Sequence, residues 1–95
     1  RCVDVVYADS QNPISADGFR FSDGTSYPTA VADFRSGFAL LERLPCDILV
    51  TPHPGTLFER ASRGTAALID AGACRAYAAS ARERLERRLQ TEAKR

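Results

Sequence analysis

The sequence has one histidine, no methionine and no long apolar run, and each scarcity excludes something. A single histidine cannot build a zinc site, because such sites take three or four protein ligands. Any metal centre that uses it must draw most of its ligands from elsewhere. No apolar stretch approaches the roughly 20 residues a membrane-spanning helix needs, and no signal-peptide pattern is read. An excess of either charge is also missing: 13 Lys and Arg face 12 Asp and Glu, a formal net charge of +1. Nothing in that balance points to nucleic acid or a membrane as partner. There is no initiator methionine, and Arg1-Cys-Val-Asp-Val-Val-Tyr7 already reads as a strand, so we expect the second part of something longer. Ninety-five residues make one small domain or a piece of a larger one. A chain of that size buries only about two-thirds of its unfolded surface, so its core is small.

Three cysteines are present, Cys2, Cys46 and Cys74. In an exported protein an odd count implies a partner elsewhere or a free thiol. Cys46 opens an apolar run and Cys74 stands near the start of the last helical pattern. We expect these two to pair, closing a loop of about 29 residues with a stabilisation of about 3 kcal/mol. Cys2 would then need a partner upstream of residue 1. The alternative is three buried reduced thiols in a cytosolic protein.

Along the chain, Val3 to Ala8 is β-branched and apolar and reads as a strand. Asp9 to Gly18 is a polar, turn-rich loop, and Phe19-Arg-Phe21 alternates like a short edge strand. Ser26 is placed to cap a helix with Pro28 in its first turn. Val31, Phe34, Phe38 and Leu41 then recur at spacings of three and four, giving one apolar face. Pro45 ends that helix, Asp47-Ile-Leu-Val50 is a short buried strand, and Leu57 to Arg63 is a short helix stopping at Gly64. Asp70 is a candidate cap for the last helix, whose inward stripe is Cys74, Ala78, Ala81, Leu85 and Leu89. From Arg75 onward Arg75, Arg82, Arg84, Arg87, Arg88, Lys94 and Arg95 stand against Glu83, Glu86 and Glu92. An anion-binding face is one reading of this run; a solvated surface laced with i,i+4 pairs such as Glu83–Arg87 is the better one. Strand, helix, strand, helix argues for a layered α/β arrangement. So few strands cannot make a freestanding sheet, and further chain should cover the face away from the helices.

His53 stands just past the Asp47–Val50 strand, between Pro52 and Pro54. Each proline fixes φ and removes a backbone donor, so the imidazole rides on a stiff, extended backbone. Ligands of open α/β sheets gather at the carboxyl ends of strands, where this residue falls. A satisfied surface-loop histidine is the plainer alternative.

In order, Tyr7-Ala-Asp-Ser10, Leu44-Pro-Cys-Asp47, Thr51-Pro-His-Pro-Gly55 and Ala73-Cys-Arg-Ala-Tyr-Ala78 with its basic helix cover nearly the whole chain. This ordered set resembles the carboxy-terminal part of metallo-β-lactamases, in the third subclass of the class B enzymes, a mostly exported carbapenem-hydrolysing group. The resemblance implies an α/β fold, the second half of an αββα sandwich. Residues 1–95 would form the carboxy-terminal part of one domain, whose absent amino-terminal half carries the main zinc motif. It implies that His53 is a ligand of the second of two zinc ions and that Cys46 and Cys74 form the family disulfide. It also implies that Cys2 pairs with a cysteine upstream, as in some members. Ser10 and Asn12 would help hold the substrate carboxylate. Asn12 replaces the Ser or Thr common at its position, and an amide still donates to a carboxylate. Phe19 stands where many members have a tyrosine whose hydroxyl lies near the substrate carbonyl, so that donor is lost.

The implied activity is zinc-dependent hydrolysis of the β-lactam amide, with the protein periplasmic or secreted. The implied partners are the β-lactam and the rest of the same protein, with neither nucleic acid nor membrane. Nothing marks a covalent serine mechanism, since Ser10 has no general base near it in sequence. Two rivals stand beside this reading. A lactonase or thioester hydrolase of the same superfamily would use Asp9 as a metal-bridging ligand. The other rival is a non-catalytic fragment, inert without its missing half.

Overall fold

The computed structural model describes residues 2–11, 13, 19–22, 27–52 and 57–94. Two short strands, β1 (Val5–Tyr7) and β2 (Ile48–Val50), flank the helix α1 (Ala30–Arg43). A short helix α2 (Leu57–Ala61), a 3₁₀ turn (Thr65–Leu68) and the long helix α3 (Ala73–Ala93) follow. The strands pair in parallel, Val5 opposite Ile48 and Tyr7 opposite Val50. Parallel strands cannot be joined by a tight turn, and here α1 lies within the crossover.

Side chains alternate along β1. Val6 and Ala8 face the helices and join the core, whereas Val5 and Tyr7 remain 57% and 66% exposed. The core forms where α1 lies on α3: Phe38 and Leu41 meet Cys74, Ala78, Ala81 and Leu85. Alanines at 78 and 81 let the helices approach closely, and Phe38 fills the space they leave. An alanine-rich sequence also makes α3 an intrinsically strong helix over its 21 residues. Ion pairs line the rim of this contact, Arg35 with Glu86 at 2.9 Å and Arg82 with Glu42. The Arg82 guanidinium also lies over the Phe38 ring, 5.3 Å from its centroid. Each exposed pair contributes under about 1 kcal/mol, so the apolar contact carries the packing.

Local chemistry sets the boundaries. Leu44, ahead of Pro45, is extended at ψ 140°, which ends α1. Gly64 follows α2 at φ 106°, a value L side chains rarely adopt, and opens the 3₁₀ turn. Asp47 ties the start of β2 to both neighbours: its carboxylate accepts the Asp4 N–H at 2.9 Å and its carbonyl accepts the Asp70 N–H at 2.7 Å. Cys46 and Cys74 form a disulfide that joins the segment before β2 to the first turn of α3.

Three local expectations change. Pro28 precedes α1 in a turn rather than lying in its first turn, and Thr29 is the residue before the helix. The expected cap Ser26 lies outside the described residues. Asp70 does not cap α3; its carboxylate accepts the Gly72 N–H at 3.0 Å, closing the turn that leads into the helix. Phe19–Phe21 is not a strand, because the N–H of Phe21 donates to a side chain of α3 instead of a ladder.

The disulfide closes 28 residues of sequence separation, which predicts a stabilisation of about 3.5 kcal/mol through the unfolded chain. In the full-length protein, replacing Cys46 and Cys74 together by alanine should lower the urea midpoint accordingly. An unchanged midpoint would show that the bond contributes nothing.

Candidate functional site

Parallel pairing sends the chain out of β1 and β2 at the same edge of the sheet. The Ala8 N–H donates to the Val50 carbonyl at 2.9 Å and closes that edge. Ser10 follows two residues later and is exposed. Its N–H donates to the Asp9 carboxylate at 3.1 Å, so Asp9 shapes the turn that presents it. The Gln11 N–H donates to the Tyr77 hydroxyl of α3 at 3.1 Å, and its side-chain amide donates to the Asp9 carbonyl at 3.2 Å. That side chain lies against Gly37 of α1, where a Cβ would meet its Oε1 at 2.6 Å. The first residues beyond β1 are therefore held by both helices.

The far end of the same loop, Phe19–Ser22, is held by Glu92. This carboxylate is fully buried and accepts the N–H groups of Phe21 and Ser22, each at 2.8 Å, and the Ser22 hydroxyl at 2.7 Å. Arg88, one turn earlier on α3, donates through Nε to Glu92 at 2.9 Å and through its terminal nitrogen to the Phe19 carbonyl at 2.7 Å. Arg20 reaches the Glu92 backbone carbonyl. Burial pushes the Glu92 carboxyl up, but the donors from Ser22, Phe21 and Arg88 outweigh it and bring its pKa down to about 2.

Between this turn and α1 opens a cleft of about 290 Å³, lined by Gln11, Phe19, Phe21, Tyr27, Asp33 and Phe34 among others. Phe19, Phe21 and Phe34 meet edge to face, with centroids 5.0 and 5.7 Å apart. The Tyr27 hydroxyl donates to Asp33 at 2.8 Å; this hydrogen bond and the adjacent negative charge raise its pKa.

Of the residues singled out from sequence, Ser10 stands at the strand edge, Cys46 and Cys74 are bonded, and Cys2 is exposed and carries no disulfide. His53 and Asn12 lie outside the described residues. The described residues include no group of three or more His, Cys, Asp and Glu able to hold a metal ion. They therefore make no complete zinc site, and His53 would need ligands from elsewhere. The Glu83–Arg87 pair is present on the solvent side of α3. The reading of the basic run as one solvated surface is corrected at Glu92, which is buried, and at Arg88, whose side chain is only 21% exposed. The missed signal was periodicity: the stripe 74, 78, 81, 85 continues to 88 and 92, where two opposite charges stand on the inward face.

No protein-family model matches the chain. Solved structures do. The Rm3 metallo-β-lactamase is 47% identical over 97% of this chain, with a TM-score of 0.88. MEM-A1, a subclass B3 metallo-β-lactamase from a soil metagenome library, is 44% identical over 96%, with a TM-score of 0.86. The metallo-β-lactamase SMB-1, solved with mercaptoacetic acid, is 46% identical over 96%, with a TM-score of 0.84. The chain spans 36%, 37% and 37% of these three proteins, little more than a third of each.

The Glu92 geometry predicts an acid dependence. Its folded pKa of about 2 lies below the ordinary value of 4.5, so its contribution is complete above pH 4.5 and is lost as pH falls towards 2. The shift corresponds to about 3 kcal/mol. Urea unfolding of the full-length protein from pH 5 to pH 2 should lose this amount, and Glu92→Gln should flatten that part of the profile. Equal slopes for the two proteins would refute the assignment.

Proposed function

The chain belongs with the carboxy-terminal part of the subclass B3 metallo-β-lactamases, and on that premise we propose that its parent protein hydrolyses the β-lactam amide bond, carbapenems included, and so confers antibiotic resistance. The observation that carries the reading is the 44–47% identity to three metallo-β-lactamases, MEM-A1 of subclass B3 among them, over 96–97% of this chain, joined to the same fold. The rest of the protein would supply the amino-terminal half of the sandwich and cover the β1 face on which Val5 and Tyr7 stand bare. The Cys46–Cys74 disulfide supports a periplasmic or secreted location, where such bonds persist. Cys2 would pair upstream in the same protein.

Zinc, when bound, lowers the pKa of a coordinated water towards 7 and stabilises negative charge. His53 would be this chain's contribution to holding it, at the sheet edge where the segment beyond Val50 emerges. Ser10 leaves the same edge with its backbone fixed by Asp9. Its hydroxyl, and the Asn12 amide, would donate to the substrate carboxylate and orient the lactam for attack. Phe19 brings no donor to the substrate carbonyl. The Asp9 carboxylate accepts the Ser10 N–H, which favours a turn role over the metal-bridging role that a lactonase or thioester hydrolase would ask of it.

Carbapenem hydrolysis by the full-length protein, with and without a strong chelator, tests the reading. Chelator-sensitive turnover is the expected result; no turnover by the zinc-loaded protein would overturn it. His53→Ala should lower both zinc content and turnover, turnover by on the order of 10²-fold or more. Unchanged zinc stoichiometry would remove the residue from the site. Ser10→Ala should raise KM roughly ten-fold while acting less on kcat, since it removes a contact to an unreacting group. An unchanged KM would exclude that contact.

A further inference from the structure

We propose that Arg88 and Glu92 are positioning residues for substrate binding: through the Phe19–Ser22 turn they fix one end of the loop whose other end carries Ser10. The inference rests on the reading of the Ser10 loop as a substrate-binding loop.

The pair serves the turn's backbone. Four of its hydrogen bonds meet residues 19–22: Glu92 accepts the N–H groups of Phe21 and Ser22 and the Ser22 hydroxyl, and Arg88 donates to the Phe19 carbonyl. The Arg88 guanidinium also lies over the Phe21 ring, 5.1 Å from its centroid. The attraction between the two charges is not by itself a reason to keep them, because apolar residues of similar volume often replace a buried ion pair without loss; what distinguishes this pair is its contacts to the turn. Apolar side chains at positions 88 and 92 would extend the stripe of Ala78, Ala81 and Leu85. They would also leave the buried Phe21 N–H, and the Ser22 N–H beside it, without their acceptor. What the charged pair adds is a defined path for the turn.

The other end of the loop is pinned to the same helix. Gln11, next to Ser10, donates its N–H to Tyr77. Tyr77 and Arg88 are eleven residues apart on α3, about 16 Å along its axis. One rigid helix thus sets the spacing between the two ends of the loop, and its first turn is bonded through Cys74 to the segment that leads into β2. Releasing either pin lets the residues it holds, Gln11 beside Ser10 or the Phe19–Ser22 turn, shift relative to the strand edge, and misplacement of about 1 Å is enough to weaken a positioned contact severely.

The test uses the full-length, zinc-loaded enzyme and a carbapenem. Glu92→Gln keeps the shape and removes the charge; Tyr77→Phe removes only the hydroxyl that holds Gln11. Each should raise KM about five- to ten-fold with a smaller change in kcat and unchanged zinc content. In Glu92→Gln, amide exchange at Phe21 and Ser22 should accelerate. Glu92→Ala should raise KM further than Glu92→Gln; if it fails to fold, the two milder variants still decide. A merely structural role would lower the melting temperature of the folded variants and leave KM where it is, and that result overturns the proposal. If the wild-type protein turns over substrate and the variants match its KM, this inference alone falls. If the zinc-loaded wild type does not turn over substrate, the proposed function falls and takes the inference with it.

Discussion

Everything in this chain hangs on the contact between α1 and α3. Phe38 and Leu41 of one helix enter the shallow surface that Ala78 and Ala81 leave on the other, and Leu85 closes the layer below. Without this contact the two three-residue strands would have nothing to lie on, since so short a pair cannot stand alone in water. Val6, Ala8 and Leu49 add the sheet to the same cluster. The disulfide and the Asp47 hydrogen bonds then fix how α3 enters relative to β2. The helix is thereby both the floor of the sheet and the beam to which the loop beyond β1 is fastened.

Much of this was legible in the residues. The spacing of Val31, Phe34, Phe38 and Leu41 marked the buried face of α1, and the stripe from Cys74 to Leu85 marked that of α3, because helical periodicity is local and survives any tertiary context. β1 and β2 were legible as short β-branched or apolar runs. The turn at Phe19–Ser22 was not. Its alternating Phe-Arg-Phe pattern satisfies the rule for an edge strand, and only the carboxylate arriving from seventy residues further along takes its N–H groups away from a ladder. Local patterns carry no record of such a distant acceptor. The failure at Asp70 is smaller but similar in kind: a residue suited to capping a helix serves equally well to close a turn, and the backbone geometry decides which.

The candidate site divides in the same way. Ser10 could be placed because it follows a strand whose end is readable, and parallel pairing then brings the chain beyond β2 to the same edge. Nothing in the sequence around Ser10 announces Tyr77, whose hydroxyl meets Gln11 across 66 positions. Glu92 did leave a trace, a charged residue in register with an apolar stripe. It is easily lost among the surrounding arginines and glutamates, because composition counts charges without asking which side of the helix they face.

The bare side of β1 has a further consequence for handling the polypeptide. Among the described residues the sheet has two strands, so each flank presents a backbone edge with no described partner strand, and Val5 and Tyr7 add apolar surface beside one of them. Such an edge recruits strands indiscriminately, from a neighbouring copy as readily as from the proper partner segment. Expressed in isolation, this stretch of chain would be prone to self-association, and the order in which the complete protein assembles its sheet decides how long that hazard stays open.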